Sequence, residues 1–197
     1  MPSPRQRPAR EDELLAASIR AFAARGYFGT STAQVAAHMG VSQPYVIRTF
    51  GSKLELFVRT HARAGSEITA AFRVATDDGF DADRLGAAYR ALVMSRAEAV
   101  LVWAHAFSAA TSVPAIGVES RRQFDEVYRT LRRTGASDLD LWAFMGRGML
   151  INTLLLMEAD RFGDAYDFGP LVDLVLGPRP DIAPGAAGVP SPRSGAT

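Results

Sequence analysis

The sequence predicts an all-α protein, with a small three-helix head at the N-terminus and a larger helical bundle behind it. Three observations lead there. Apolar residues recur at helical spacing along most of the chain, and no run alternates in the manner of a β-strand. Serine caps and glycine stops punctuate the N-terminal third at short intervals. Charge is also divided along the chain: residues 1–63 carry nine basic and four acidic side chains, a net +5, and residues 64–197 carry thirteen and seventeen, a net −4. A basic head on an acidic body is the asymmetry expected when only one end meets a polyanion.

Composition narrows the class. The 197 residues are 48% hydrophobic and 22% charged, enough for one substantial core or for a small domain plus a medium one. With no cysteine, disulfides, thiolate metal sites and cysteine nucleophiles are excluded. Met1 to Arg10 is basic and proline-rich with no apolar run behind it, so a secretory signal is not expected. The apolar stretch Met149 to Met157 is broken by Asn152 and Thr153 and is too short to span a bilayer. A soluble, cytoplasmic protein with no membrane partner is the expectation. Lys53 is the only lysine and alanine is abundant, a bias that suggests a GC-rich bacterial genome.

The elements follow in order. Residues 1–10 are expected to form a flexible basic arm. Glu11 or Asp12 opens the first helix, Leu14, Leu15, Ile19 and Phe22 form its apolar stripe, and Arg25-Gly26 closes it. Tyr27-Phe28-Gly29-Thr30 is expected as a linker. Ser31-Thr32-Ala33-Gln34 has capping-box spacing and starts a short helix that buries Val35, Ala36 and Met39 before Gly40 stops it. Ser42 caps the next helix, whose first turn tolerates Pro44 because amides there lack intrahelical partners, and Phe50-Gly51 ends it. Ser52-Lys53-Leu54-Glu55 is a second capping box, opening a long helix toward Phe72 that Asp77-Asp78-Gly79 breaks. Five further helices are expected at Asp83–Met94, Arg96–Thr111, Pro114–Arg133, Ser137–Ala159 and Tyr166–Leu176. The Pro/Gly/Ala/Ser tail, 177–197, is expected to be disordered. The implied domains are 11–57 and 58–176.

Two short helices joined by a Gly-Val-Ser turn beside a supporting first helix describe a helix-turn-helix. At 100° per residue, Val46 and Phe50 set the buried stripe of the second short helix. Pro44, Tyr45 and Arg48 then point most nearly away from it, with Gln43, Ile47 and Thr49 on its flanks. Such a face suits a major groove. Arginine pairs bidentately with guanine, glutamine with adenine, and the Thr49 methyl or Tyr45 ring can meet a thymine methyl.

Residues 11–57 resemble the N-terminal domain of TetR-family regulators. The resemblance rests on Phe22, Gly26-Tyr27, Thr30-Ser31, Val35-Ala36, Gly40-Val41-Ser42, Phe50-Gly51-Ser52-Lys53 and Glu55-Leu56-Phe57, in order and at matching spacing. Two positions depart from it. The family often has tyrosine at position 47 and histidine or tyrosine at 49, both meeting phosphate; here stand Ile47 and Thr49, with Tyr45 the obvious substitute. The resemblance implies a homodimer that binds a near-palindromic double-stranded operator, most often a repressor, and a small-molecule ligand that releases it. It implies DNA contacts from Thr30, Ser31, Thr32, Ser42, Gln43, Pro44, Tyr45, Arg48, Thr49 and Lys53. Thr30 or Ser31 and Lys53 are the phosphate candidates, at helix N-termini where free amides favour an anion.

For the body the resemblance implies an all-helical ligand-binding and dimerisation domain. Ser137–Ala159 is apolar nearly all round, so it needs cover on two faces, one from its own bundle and one expected from a partner chain. The ligand is unknown, expected to be apolar or aromatic, and its candidate contacts are Tyr89, Trp103, His105, Phe107, Phe124, Tyr128, Trp142, Met145 and Asn152. No cofactor, metal or catalytic residue is indicated. His38, His61 and His105 are scattered, no P-loop or nucleophile elbow occurs, and Gly146-Arg147-Gly148 has no preceding strand to make a dinucleotide site. The competing reading is an all-helical binding protein or enzyme whose helix-turn-helix no longer meets DNA.

Overall fold

The computed structural model describes residues 6–75, 79–162 and 166–177, for residues 6–10 the backbone alone. Among the described residues all regular structure is helical. The order is α1 (Gln6–Ala23), α2 (Gly26–Gly29), α3 (Thr32–Met39), α4 (Gln43–Phe50), α5 (Lys53–Ala75), α6 (Ala82–Ala109), α7 (Pro114–Arg132), α8 (Asp138–Leu156), α9 (Ala159–Phe162) and α10 (Gly169–Leu176). The all-α expectation holds.

The caps read from sequence form as expected where they are local. Ser31 accepts from the Gln34 amide while the Gln34 side chain accepts from the Ser31 amide, a complete capping box at α3. Gly40 then takes φ +64°, a left-handed conformation that ends α3 and that a side chain would strain. Ser42 accepts from the Tyr45 amide with Pro44 in the first turn of α4. At α5 the serine half of the box forms, Ser52 Oγ accepting from the Glu55 amide at 3.1 Å. The Glu55 carboxylate, however, accepts a hydrogen bond from the Ser52 hydroxyl instead of from the Ser52 amide. Ser137 and Asp140 add a reciprocal box at α8.

Several boundaries differ from expectation. α1 begins at Gln6, ahead of Glu11, and Pro8 falls in its first turn, where no helical amide bond is lost. Tyr27-Phe28 lies in the one-turn helix α2 instead of a linker, its Gly29 amide bonding back to the Arg25 carbonyl. The two helices expected on either side of Ser95 run together as α6, but the backbone leaves helical geometry at Arg96, φ −143° and ψ 44°, so the expected boundary survives as a kink. No glycine or proline stands there to stop it. α8 ends at Leu156 and a turn through Glu158, with φ +51°, leads into α9; α10 begins at Gly169 rather than Tyr166. Asp77-Asp78, residues 1–5 and the tail 178–197 lie outside the described residues.

Two apolar clusters build the interior. In the head, Leu14, Ile19, Phe22, Val35, Val46, Phe50, Leu56 and Phe57 pack together, and Val102, Ala106 and Ile116 of α6 and α7 close the same cluster from below. The second lies among α5, α6, α7, α8 and α10 around Phe72, Leu85, Tyr89, Leu131, Phe144 and Val172. α5 serves both, so the boundary expected at 57/58 falls inside a continuous helix.

α8 is the one described helix with the length and mean hydropathy, 1.2, of a membrane span. Arg147 and Asn152 interrupt it near the middle, and Leu141, Phe144, Ile151 and Leu154 bury one face in the body core. That is a bundle helix covered on one side.

His61 of α5 is fully buried against Trp103, ring centroids 5.5 Å apart, and neither of its ring nitrogens is hydrogen-bonded. Burial lowers its pKa to about 4, with the charge of Glu119 opposing and that of Arg122 assisting. A histidine that titrates near 6.5 unfolded but near 4 folded binds its proton first in the unfolded chain. Its contribution to stability is therefore present above about pH 6.5 and lost as pH falls toward 4. Urea unfolding at pH 7 and pH 5 should show a loss on the order of 2 kcal/mol from this group. A His61→Leu variant should lack that share of the pH dependence. Equal dependence in both proteins would show that His61 does not titrate in this way.

Candidate nucleic-acid interface and ligand cavity

α4 is held by its inner stripe. Val46 and Phe50 are buried in the head cluster, and Gln43, Pro44, Ile47 and Arg48 are exposed on the other side. Tyr45 and Thr49 are half-buried. For Tyr45 this corrects the expected outward pose. The residue sits 100° around the helix from Val46, at the edge of the stripe, so its ring leans on the head core. The Arg48 guanidinium then lies 5.3 Å from that ring's centroid, a cation–π stack that holds the arginine upright on the exposed face.

The flanking candidates divide by what they already hold. Gln43 Nε2 donates to Thr32 Oγ1 at 2.8 Å, tying the first turn of α4 to the first turn of α3. Ser31 and Ser42 are exposed and act as caps. Thr30 is only 3% exposed, with its hydroxyl turned toward the Ala21 carbonyl inside the head. Its side chain is structural, because the chain must turn inward to pass from α2 to α3. Lys53 is half-buried; Nζ donates to the Tyr27 and Thr30 carbonyls at 2.9 and 3.1 Å and lies 4.4 Å from the Tyr27 ring centroid. Sequence reasoning missed this staple, because both acceptors are backbone groups more than twenty positions upstream.

His105 had been a ligand candidate. The structure places it at the joint between body and head, where Nε2 donates to the Ala23 carbonyl at the end of α1 at 2.9 Å. Burial lowers its pKa, with the bond to Ala23 opposing. Gly26, at φ +61°, fits beneath it: a β-carbon there would lie 3.0 Å from the imidazole.

In the body, a cleft between α5, α6, α7 and α8 opens to solvent and encloses a cavity of about 50 Å³. Five of the expected ligand residues line it: Tyr89, Trp103, Phe124, Met145 and Asn152. The Tyr89 hydroxyl donates to Asn152 Oδ1 at 2.6 Å, and burial pushes the phenol's pKa well up, so it stays a neutral donor. Phe107 and Tyr128 line an adjoining groove with Phe124, which belongs to both spaces. Trp142 lines neither. It is 74% exposed on the outer face of α8, with Leu139 and Leu156 along the same side. That face is where the second cover expected for this helix is missing. Arg90 and Arg147 also border the cleft, and sequence reasoning did not single them out for it. Among the described residues no group of three or more metal-ligating side chains comes together.

Residues 14–60 match the family model described as bacterial regulatory proteins, tetR family. No curated protein matches the chain. Solved structures share its fold. A TetR-like transcriptional regulator from Rhodococcus sp. RHA1 is 22% identical at a TM-score of 0.58, over 85% of this chain and 91% of that one. The fatty acid degradation regulator FadR from Bacillus halodurans is 13% identical at a TM-score of 0.60, over 89% and 94%. The multidrug binding protein EbrR, complexed with proflavin, is 16% identical at a TM-score of 0.52, over 84% and 97%. Residues 14–60 thus match the helix-turn-helix domain of the tetR family of bacterial regulatory proteins, and the described chain around it shares the all-helical fold of these solved structures.

Proposed function

We propose that the protein acts as a homodimeric repressor that holds a near-palindromic operator through α4 of each protomer and leaves it when a small molecule fills the body cleft. The observation that carries this reading is the exposed Arg48, stacked on Tyr45 above a helix anchored by Val46 and Phe50. A guanidinium braced in this way loses little side-chain freedom on meeting a guanine edge. Ser31 and Thr32 at the start of α3, beside Gln43 at the start of α4, offer hydroxyls and free amides to the phosphates flanking that groove. Two such heads must stand about one DNA turn apart, roughly 34–36 Å, to read successive major grooves. The exposed apolar face of α8, continued by Leu171 and Leu174 of α10, supplies a surface on which two protomers can pair.

Ligand release is supported by the cleft and by the route from it to the head. Trp103 lines the cleft and packs on His61 of α5, the helix that runs directly into the head. Within the next two turns of α6, Ala106 and Ala109 belong to the head cluster, and His105 holds the end of α1. A molecule that spreads the cleft would shift α6, and with it the spacing of the two α4 helices.

Arg48→Ala is expected to cost about 1–3 kcal/mol at the base pair it reads and little on random DNA. Titrations on an operator fragment and on its single-base variants measure both. A uniform loss on every sequence would leave Arg48 a phosphate contact and sink the base-reading role.

A further inference from the structure

The two arginines at the mouth of the cleft carry an inference about what enters it, one that rests on the ligand-release reading above. The inner wall is apolar and rich in rings: Ile68, Phe72, Trp103, Val127, Leu131 and Phe144. Its polar elements are few. Tyr89 and Asn152 satisfy one another deep in the wall, leaving the Asn152 amide only a weak acceptor, Met149 Sδ at 3.8 Å. Arg90 and Arg147, on α6 and α8, are the charged residues that line the cleft, and no carboxylate lines it with them. The half-buried Arg90 guanidinium folds back over Gly86, another lining residue, with Nη1 3.4 Å from where a β-carbon would stand. Among the described residues neither the half-buried Arg90 nor the exposed Arg147 forms an ion pair, whereas arginines elsewhere on the surface pair with acids, Arg96 with Glu67 and Arg122 with Glu119 among them. A half-buried guanidinium beside an apolar wall, with no anion of its own, favours an anionic group that arrives from outside.

We propose that the cleft takes an organic carboxylate: an apolar or aromatic body seated among the rings, with its carboxylate held at the mouth by Arg90 and Arg147. Both ends of such a molecule are matched. The body replaces water at the ring-lined wall, and the carboxylate meets planar donors with the right fork geometry. A cation would meet two like charges and no counter-charge. A neutral apolar molecule would use only the inner wall.

Isothermal titration of the full-length protein with 2-naphthoate and decanoate, each against its neutral counterpart 2-naphthylmethanol or decan-1-ol, tests this. At least one acid should bind about tenfold or more tightly than its alcohol, since hydrogen bonds to charged groups are among the strong ones. In an Arg90→Met, Arg147→Met variant that preference should vanish while alcohol binding stays within about twofold. An Arg90→Lys, Arg147→Lys variant, which keeps the charge, should keep part of the preference and guards against a folding defect in the first. Alcohols binding as well as acids, or a preference that survives in the methionine variant, would overturn the carboxylate proposal; if the alcohols also release operator DNA, the ligand-release reading stands without it. Binding of neither acids nor alcohols would overturn the carboxylate proposal and count against the cleft as a ligand site.

Discussion

A Trp142→Glu, Leu174→Glu variant should be a folded monomer whose affinity for a two-half-site operator is lower by about a hundredfold or more. Both side chains are already in water in the single chain, 74% and 81% exposed, so glutamate there removes no core contact. Folding alone gives no reason for two large apolar groups to stand so exposed on α8 and α10. Leu139, Leu156 and Leu171 are exposed as well, and apolar groups left in water in this way are where a second protomer would pack in the proposed dimer. Two carboxylates at its centre would face two more across a two-fold axis, with like charges desolvated at short range. The loss on DNA follows from linkage: one head engages one half-site, and the second contact is no longer intramolecular. Sedimentation gives the mass and operator titration the affinity. A variant that remained dimeric would place the dimer contact elsewhere on the molecule.

Phe57→Ala is expected to destabilise the protein by about 3–5 kcal/mol, the largest effect of a single truncation in the head. Phe57 is fully buried at the start of α5, edge-on to Phe22 of α1 with centroids 4.9 Å apart and 5.3 Å from the Tyr27 ring of α2. Three elements thus meet on one ring, and none can close the cavity without shifting α4, which packs on the same cluster. The close packing of such an interior leaves an alanine there facing empty space. Leucine at this site should cost much less, because it refills most of the volume. Urea unfolding of the two variants measures the difference. Similar midpoints for alanine and wild-type protein would show that the head does not depend on this contact.

How legible these features were depends on the range of the interaction that makes them. The box at Ser31, the cap at Ser42 and the stop at Gly40 lie within four residues, and they form where their spacing says, whereas the box at Ser52 forms only its serine half. Val46 and Phe50 are one helical turn apart, and the inner stripe of α4 follows from that alone. Tyr45 and Trp142 show the limit. Tyr45 is placed by angle around its helix and Trp142 is offered as a ligand contact, but whether either position is covered depends on what stands beside it. The head core covers Tyr45, while nothing within the described chain covers Trp142. Arg147 carried a usable signal, a charge within a nearly continuous apolar helix, though its company in the cleft could not be read without α6.

By itself, the sequence determined the all-helical class, the order of the head's helices, their caps and the buried stripe of the recognition helix. These depend on backbone hydrogen bonds and apolar periodicity, which a chain expresses within a turn or two. Tertiary structure alone decided the Lys53 staple, the His105 joint, the burial of Thr30 and the placing of Arg90 and Arg147 along one cleft. Those contacts join residues between nine and eighty-two positions apart. At such separations packing geometry, which no local pattern encodes, chooses the neighbour.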